Sequence, residues 1–108
     1  MKEAIPPGTL DMLILTTLSR EPTLHGFEIA ERIEQRSAQI LQVEEGSLYP
    51  ALQRMLLKGW ISGEWGRTAD NRRARYYQLT PAGRASLEHE LDSYRRVSRA
   101  IALVLEPA

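Results

Sequence analysis

Basic and hydrogen-bonding side chains between positions 49 and 75 can bind phosphates and the edges of nucleic-acid bases. They are Tyr49, Gln53, Arg54, Lys58, Arg67, Arg72, Arg73 and Arg75. An arginine guanidinium pairs with a phosphate or a guanine through two parallel hydrogen bonds, and a glutamine amide pairs similarly with adenine. This group of residues therefore predicts recognition of a nucleic acid.

Other chemistries lack the residues that they need. The 108-residue chain has no cysteine, no phosphate-binding glycine loop and no cluster with the spacing of metal ligands. His25 and His89 fall in different predicted helices, and His25 is expected to make a local hydrogen bond rather than to act as a ligand or base. We therefore predict no enzyme activity, no cofactor and no metal site.

The net charge is zero, but the charged residues are unevenly distributed. Residues 1–45 hold four basic and eight acidic residues, residues 46–83 hold six and two, and residues 84–108 hold four of each. The middle segment is thus positive, and a local patch matters more for phosphate binding than the total charge. Charge alone fits equally well a solvated hairpin that is rich in arginine.

The middle segment begins with a predicted helix from Ser47 to about Lys58. Ser47 is expected to be the N-cap, Pro50 lies in the first turn, and Gly59 ends the helix. One face is apolar at helical spacing. The other face carries Tyr49, Gln53, Arg54 and Lys58.

After Gly59 the pattern changes to the two-residue period of strands. Residues 60–65 and 72–79 are strand-forming runs separated by glycine, aspartate and asparagine, which predicts a hairpin. A helix with one polar face followed by an arginine-tipped hairpin predicts a winged helix, with the helix in a DNA groove and the wing on the backbone. Trp60 and Trp65 are expected to pack the hairpin on the core.

Two helices are predicted before this unit. After a loose arm over residues 1–8, Thr9 is expected to cap a helix from Leu10 to about Ser19. That helix is apolar almost all round, which suggests that a partner chain covers one side. The next helix runs from about Leu24 to Ser37, with Phe27 among its inward-facing residues.

Thr80 and Pro81 open a last helix that runs to about Leu105. Its heptad seam consists of Leu87, Leu91, Tyr94, Ser98, Ile101 and Leu105. The helix is too long for so small a domain to cover, which favours a homodimer; the alternative is a single amphipathic helix folded back on its own domain.

Together these elements predict a mainly α fold with a small β-hairpin, a winged helix-turn-helix joined to a long C-terminal dimerisation helix. Residues 1–80 form the DNA-binding domain and residues 81–108 the dimerisation helix, in one compact unit. No apolar run approaches the roughly 20 residues of a membrane span, and no signal peptide is visible. We expect a cytoplasmic protein with no membrane partner.

Five segments resemble the PadR-like winged-helix transcriptional regulators in order and spacing. They are GTLDMLIL (8–15), HGFEIA (25–30), EGSLYPALQRM (45–55), KGWI (58–61) and RRARYYQLTPAG (72–83). The resemblance is to the short form of the family, with a single C-terminal helix. It implies a homodimeric repressor, and some members lose DNA affinity when a small, often aromatic, effector binds.

The resemblance also implies which residues contact double-stranded DNA. These are Ser47, Tyr49, Pro50, Gln53 and Arg54 in the reading helix and Arg67, Arg72, Arg73 and Arg75 in the wing. Gln53 and Arg54 are expected to read adenine and guanine, while Ser47, Tyr49 and Lys58 hold phosphates. Unlike some ligand-sensing members, the chain has no tryptophan in its last helix, which argues against an effector held between the dimer helices.

The predicted function is therefore a sequence-specific DNA-binding transcriptional regulator, a dimeric repressor that binds a palindromic operator. Relief of this repression by a small-molecule effector is implied by the resemblance to those members that respond to one. The alternative is a winged-helix dimer that acts as a protein–protein interaction module through its acidic N-terminal half, because fold alone does not settle function.

Overall fold

The computed structural model describes residues 2–107 and contains four helices and two small sheets within that range. In chain order the elements are β1 (Glu3–Ala4), α1 (Leu10–Arg20), β2 (Leu24–His25), α2 (Gly26–Arg36), β3 (Leu41–Gln42), α3 (Glu45–Leu57), β4 (Ile61–Arg67), β5 (Arg73–Leu79) and α4 (Pro81–Leu105). Strands β2, β5 and β4 form one antiparallel sheet in that order, and β1 pairs in parallel with β3. The predicted mainly α winged helix is confirmed. Met1 and Ala108, the outermost residues of the two predicted domains, lie outside the described range.

Helix α1 lies at the centre of the core. Its side chains Ile14 and Leu15 are fully buried, and the helix contacts α2, α3, α4 and β5 of its own chain. The chain itself thus covers most of α1, while Leu10, Leu13 and Thr16 are half-buried. Cover of one side by a partner chain stays a prediction. Thr9 is the N-cap as predicted, but it makes no side-chain capping bond, because its hydroxyl donates to the Pro6 carbonyl oxygen over 2.7 Å.

The N-terminal arm is ordered rather than loose from residue 3 onwards. Glu3 and Ala4 pair with Leu41 and Gln42, in the connector between α2 and α3. Glu34 joins the same region, because its carboxylate accepts hydrogen bonds from the Val43 backbone N–H and from Lys2 Nζ. These two donors hold the pKa of Glu34 below its usual value. The arm thus helps to fix the connector that leads into α3.

Helix α2 begins two residues later than predicted, because Leu24 and His25 pair with Tyr77 and Tyr76 of β5. His25 is the N-cap: its Nδ1 accepts from the Glu28 N–H while the Glu28 carboxylate accepts from the His25 N–H. The local hydrogen-bonding role expected for His25 is confirmed. Phe27 is not inward-facing as predicted; it is largely exposed.

Helix α3 begins at Glu45, two residues before the predicted N-cap. Glu44 is the N-cap without a side-chain capping bond, so Ser47 is the third helical residue and Pro50 the sixth. Pro50 removes the N–H that would have bonded the Gly46 carbonyl. Both residues are exposed, so water can satisfy that carbonyl. The predicted C-terminus is confirmed: Gly59 has a φ of 75°, and the N–H groups of Gly59 and Trp60 bond the carbonyls of Leu56 and Met55.

A junction at Thr80 ties α4 to the start of the wing. The Thr80 hydroxyl donates to the Gly59 carbonyl and accepts from the Gly83 N–H, and the Thr80 N–H bonds the Trp60 carbonyl. The predicted cap and N1 proline are confirmed. Beyond the first half of α4 the helix projects away from the core, and none of the described helices is both long and apolar enough to cross a membrane.

Gly83→Ala is expected to destabilise the fold by about 1–3 kcal/mol or more. A Cβ at this buried position would overlap the Trp60 carbonyl oxygen, which is backbone and cannot move cheaply. Gly46→Ala is the matched control, because a Cβ there has open space and alanine should stabilise the helix by roughly 0.5–1 kcal/mol. Denaturant unfolding measures both changes; equal stability of the two variants would contradict the close packing of α4 on the wing.

Candidate nucleic-acid interface

The predicted reading residues share the exposed surface of α3. Leu48, Ala51, Leu52 and Met55 are buried against the core. The predicted contact residues of this helix are all exposed: Ser47, Tyr49, Pro50, Gln53, Arg54 and Lys58. The predicted division of the helix into an inner and an outer face is therefore correct.

Tyr49 is held by a contact that the sequence did not reveal. Its ring lies on Gly26, where a Cβ would come within 2.8 Å of Tyr49 Cε1. Gly26 begins α2 and is buried, so the tyrosine ring rests directly on backbone. The contact fixes the start of α2 against the outer face of α3.

The wing presents its cationic side chains from two places. In the β4–β5 register Arg67 lies opposite Arg73 and Trp65 opposite Arg75, so these four side chains share one face of the sheet. Arg72 instead projects from the tip, with its side chain 83% exposed and its Nε 3.6 Å from Asp70 Oδ2.

Short-range hydrogen bonds fix the wing tip. The Thr68 hydroxyl bonds Asp70 and accepts from the Arg72 N–H, and Asn71 takes the left-handed conformation with a φ of 64°. The hydrogen bond from Thr68 is the main cause of a lowered pKa of Asp70. Asp70 is consequently a carboxylate at neutral pH, and it partly offsets the charge of Arg72.

The two tryptophans have different environments. Trp60 is partly buried against the core as predicted, with Lys58 Nζ 4.5 Å above its ring. Trp65 does not pack on the core: it is 60% exposed, and the Arg73 guanidinium lies 4.3 Å from its ring centroid. Cation–π attraction therefore orders Arg73 on the wing.

A cavity of about 850 Å³ lies between the start of α2, the outer face of α3 and the wing. It brings together two of the predicted reading residues and three of the predicted wing residues. Those five are Tyr49, Gln53, Arg72, Arg73 and Arg75. The exposed Phe27 and Trp65 line the same cavity, so its walls are both aromatic and cationic.

Arg75 has unused hydrogen-bonding capacity in this cavity. Its guanidinium lies against Gly63, and its buried Nε has no hydrogen-bond partner among the described residues. Tyr77 lies beside it; burial raises the pKa of Tyr77 and the positive Arg75 opposes that shift. Because Nε is buried, an acceptor from outside the chain can reach Arg75 only through the terminal nitrogens of its guanidinium.

The remaining reading residues lie on the opposite side of α3. Ser47, Pro50 and Arg54 line a second cleft, of about 430 Å³, between α3 and the N-terminal arm. Arg54 Nη2 donates to Asp11 Oδ1 over 2.7 Å. The first turn of α1 therefore contributes a residue to this surface that the sequence did not reveal.

The predicted dimer seam divides into two parts. Leu87 belongs to the core of its own chain, and Leu91 packs partly against that core. The seam residues beyond them are exposed: Tyr94, Ser98, Ile101 and Leu105. Val97 and Val104 extend this exposed apolar surface, which covers the distal half of α4.

Residues 14–89 match the transcriptional regulator PadR-like family. The chain belongs to this family. A transcriptional regulator of Mycobacterium tuberculosis is 31% identical over 78 residues, which cover 72% of this chain and 69% of that protein. The resemblance noted from the five sequence segments is thereby confirmed, and the chain is a transcriptional regulator of the PadR family.

Two solved structures place the fold among PadR proteins. A PadR family transcription regulator of Clostridium difficile superposes with a TM-score of 0.77 at 29% identity, covering 92% of this chain and all of that one. PadR of Bacillus subtilis, solved in complex with operator DNA, has a TM-score of 0.68 at 24% identity, covering 80% of this chain and 48% of that one. The second likeness shows the fold alone.

Proposed function

We propose that this PadR-family regulator binds double-stranded DNA in a sequence-specific manner, with α3 as the reading helix and the β4–β5 hairpin as the wing. The observation that carries the proposal is the cavity shared by the outer face of α3 and three wing arginines. Gln53 and the wing arginines thus face one common space, while Arg54 lies on the other side of α3. PadR of Bacillus subtilis, which has a similar fold, was solved in complex with operator DNA, and this supports DNA binding by the present chain.

The roles of the side chains follow from their chemistry. Gln53 and Arg54 are the base readers, for adenine and guanine, and each bidentate contact gives roughly 1–3 kcal/mol of discrimination. Ser47, Tyr49 and Lys58 hold phosphates beside the exposed Pro50. Phosphate contacts fix register without reading sequence. The wing adds phosphate or minor-groove contacts through Arg67, Arg72, Arg73 and Arg75.

A homodimer completes the proposal. Residues 1–80 supply the DNA-binding unit and residues 81–108 the dimerisation helix, with Leu87 joining the two parts into one body. Two reading helices related by a two-fold axis would meet half-sites of a palindrome about 34–36 Å apart. Binding across such an operator would block transcription, so we propose a repressor.

The salt dependence of DNA binding tests the role of the wing. The protein should bind its own upstream DNA tightly, with affinity that falls steeply as salt rises. Arg72→Ala should weaken binding to every sequence and flatten the slope of log K against log salt by about one unit. Arg84→Ala is the matched control, because it removes the same charge from α4, outside the helix–wing unit.

Fluorescence anisotropy at two or more salt concentrations measures both quantities. An Arg72→Ala protein with unchanged affinity and slope would disprove the wing assignment. Absence of binding to any duplex at any salt concentration would instead favour the protein-interaction module.

Substitutions on the exposed seam of α4 test the dimer. Ile101→Asp should give a monomer with weakened operator binding, because Ile101 is 53% exposed on the seam and a buried aspartate is costly. Leu103→Asp is the control: Leu103 is 66% exposed and lies about 160° away around the helix, at about 100° per residue. Sedimentation equilibrium should show a dimer for the control. Dimers of both variants would exclude the α4 seam as the interface.

We also place a small aromatic effector in the cavity between α2, α3 and the wing, rather than between dimer helices. The cavity volume of about 850 Å³ lies within the range of roughly 300–1,000 Å³ for small-molecule sites. Phe27 and Trp65 can stack on an aromatic ring, and Arg75 can pair with an acidic substituent. A ligand there would occupy the space proposed for DNA, so it would relieve repression by competition.

Two single-tryptophan variants test this placement with benzoate as the probe. In Trp60→Phe the remaining Trp65 should change its emission as benzoate is added, because its ring lines the cavity. In Trp65→Phe the remaining Trp60 should not respond. A response from Trp60 alone, or from neither tryptophan, would refute the site.

A further inference from the structure

An exposed ion pair connects the reading helix to the first turn of α1. Arg54 Nη2 lies 2.7 Å from Asp11 Oδ1, and the two side chains are 53% and 28% exposed. Both line the cleft between α3 and the N-terminal arm, together with Ser47 and Pro50. The pair therefore lies on the outer surface of the reading helix, where DNA would approach.

We infer that Asp11 is a positioning residue that sets the direction of the Arg54 guanidinium for base recognition, and thereby raises the specificity of DNA binding. This inference rests on the proposed function. Asp11 itself need not touch DNA, since it acts through the arginine.

The donor arrangement of arginine allows both contacts at once. A guanidinium has five N–H donors in a fixed plane, and the contact with Asp11 uses one of them, on Nη2. An edge with two parallel donors stays free, which is what guanine O6 and N7 require. The carboxylate also restricts a side chain with many rotamers, so less conformational entropy is lost when the base is bound.

The charge of Asp11 works in the same direction. Non-specific binding depends on attraction between cationic side chains and phosphates. A carboxylate in contact with Arg54 offsets that attraction, so the arginine gains less from an unrelated duplex than a free arginine would. The ion pair thus lowers the affinity for wrong sequences and orders the contact with the correct one.

The expected effect on folding is small, which makes the inference testable. Exposed ion pairs contribute little to stability, so Asp11→Asn should fold normally. Glu44 provides a matched control, because it lines the same cleft and makes no side-chain capping bond at the start of α3. Glu44→Gln removes an equal charge without releasing Arg54.

The experiment compares affinities for two duplexes, one selected by the wild-type protein from a random library and one unrelated. The proteins are wild type, Asp11→Asn, Glu44→Gln, Arg54→Ala and the double variant of Asp11 and Arg54. Asp11→Asn and Glu44→Gln, which each remove a negative charge, should both tighten binding to the unrelated duplex. Only Asp11→Asn should lower the ratio of the two affinities, by about tenfold. In the Arg54→Ala background Asp11→Asn should lower it no further.

Four outcomes would overturn the inference. If Asp11→Asn keeps the wild-type ratio, or lowers it equally without Arg54, Asp11 does not position the arginine, although the proposed function would stand. If Asp11→Asn lowers the melting temperature of the protein and weakens binding to both duplexes equally, the role of Asp11 is structural. If the wild-type protein cannot select any duplex, the proposed function and this inference both fail.

Discussion

Burial of helix α1 is the constraint on which the other elements depend. Its side chains Ile14 and Leu15 have no contact with solvent, and each such burial contributes about 1.5–3 kcal/mol. Because α2, α3, α4 and β5 all pack on this one helix, their positions relative to one another are fixed through it. The outer face of α3 and the wing are therefore placed relative to each other through the core as well as through the direct contact between α3 and β4.

The surface residues are ordered by short-range contacts and hydrogen bonds rather than by burial. Tyr49 rests on the backbone of Gly26, Arg73 lies on the exposed ring of Trp65, and hydrogen bonds from Thr68 shape the wing tip. A cationic side chain that is already ordered loses less entropy when it meets a phosphate. The chain thus presents a locally positive, preorganised surface although its total charge is zero.

Elements marked by strong local signals could be predicted from the sequence. Thr80 with Pro81 fixed the start of α4, and Gly59 fixed the end of α3, because cap chemistry is decided within a few residues. The start of α3 was misplaced for the same kind of reason: a serine followed by a proline looks like a cap, but Glu44 precedes one more turn. Local signals at two neighbouring positions competed, and only the tertiary structure decides between them.

Contacts between distant segments could not be predicted. Two such contacts are the pairing of β1 with β3 and the bond between Asp11 and Arg54. The exposure of Phe27 and Trp65 likewise depends on where distant segments lie. No periodicity encodes such contacts, since apolar residues read as core whether they line a cavity or fill one. A carboxylate in the first turn of a helix likewise satisfies the helix dipole and leaves no sign of a second partner.

The packing of α4 at Gly83 influences the position of the far end of this long helix. Gly83 sits on the Trp60 carbonyl, and from there the helix continues without a break to Leu105. Over this distance of about 33 Å, a tilt of about 10° at the glycine moves the far end by about 6 Å. The position of the distal half of α4 is therefore set by the contacts of its first half, at Gly83 and Leu87, and a small change in direction there is magnified at the far end.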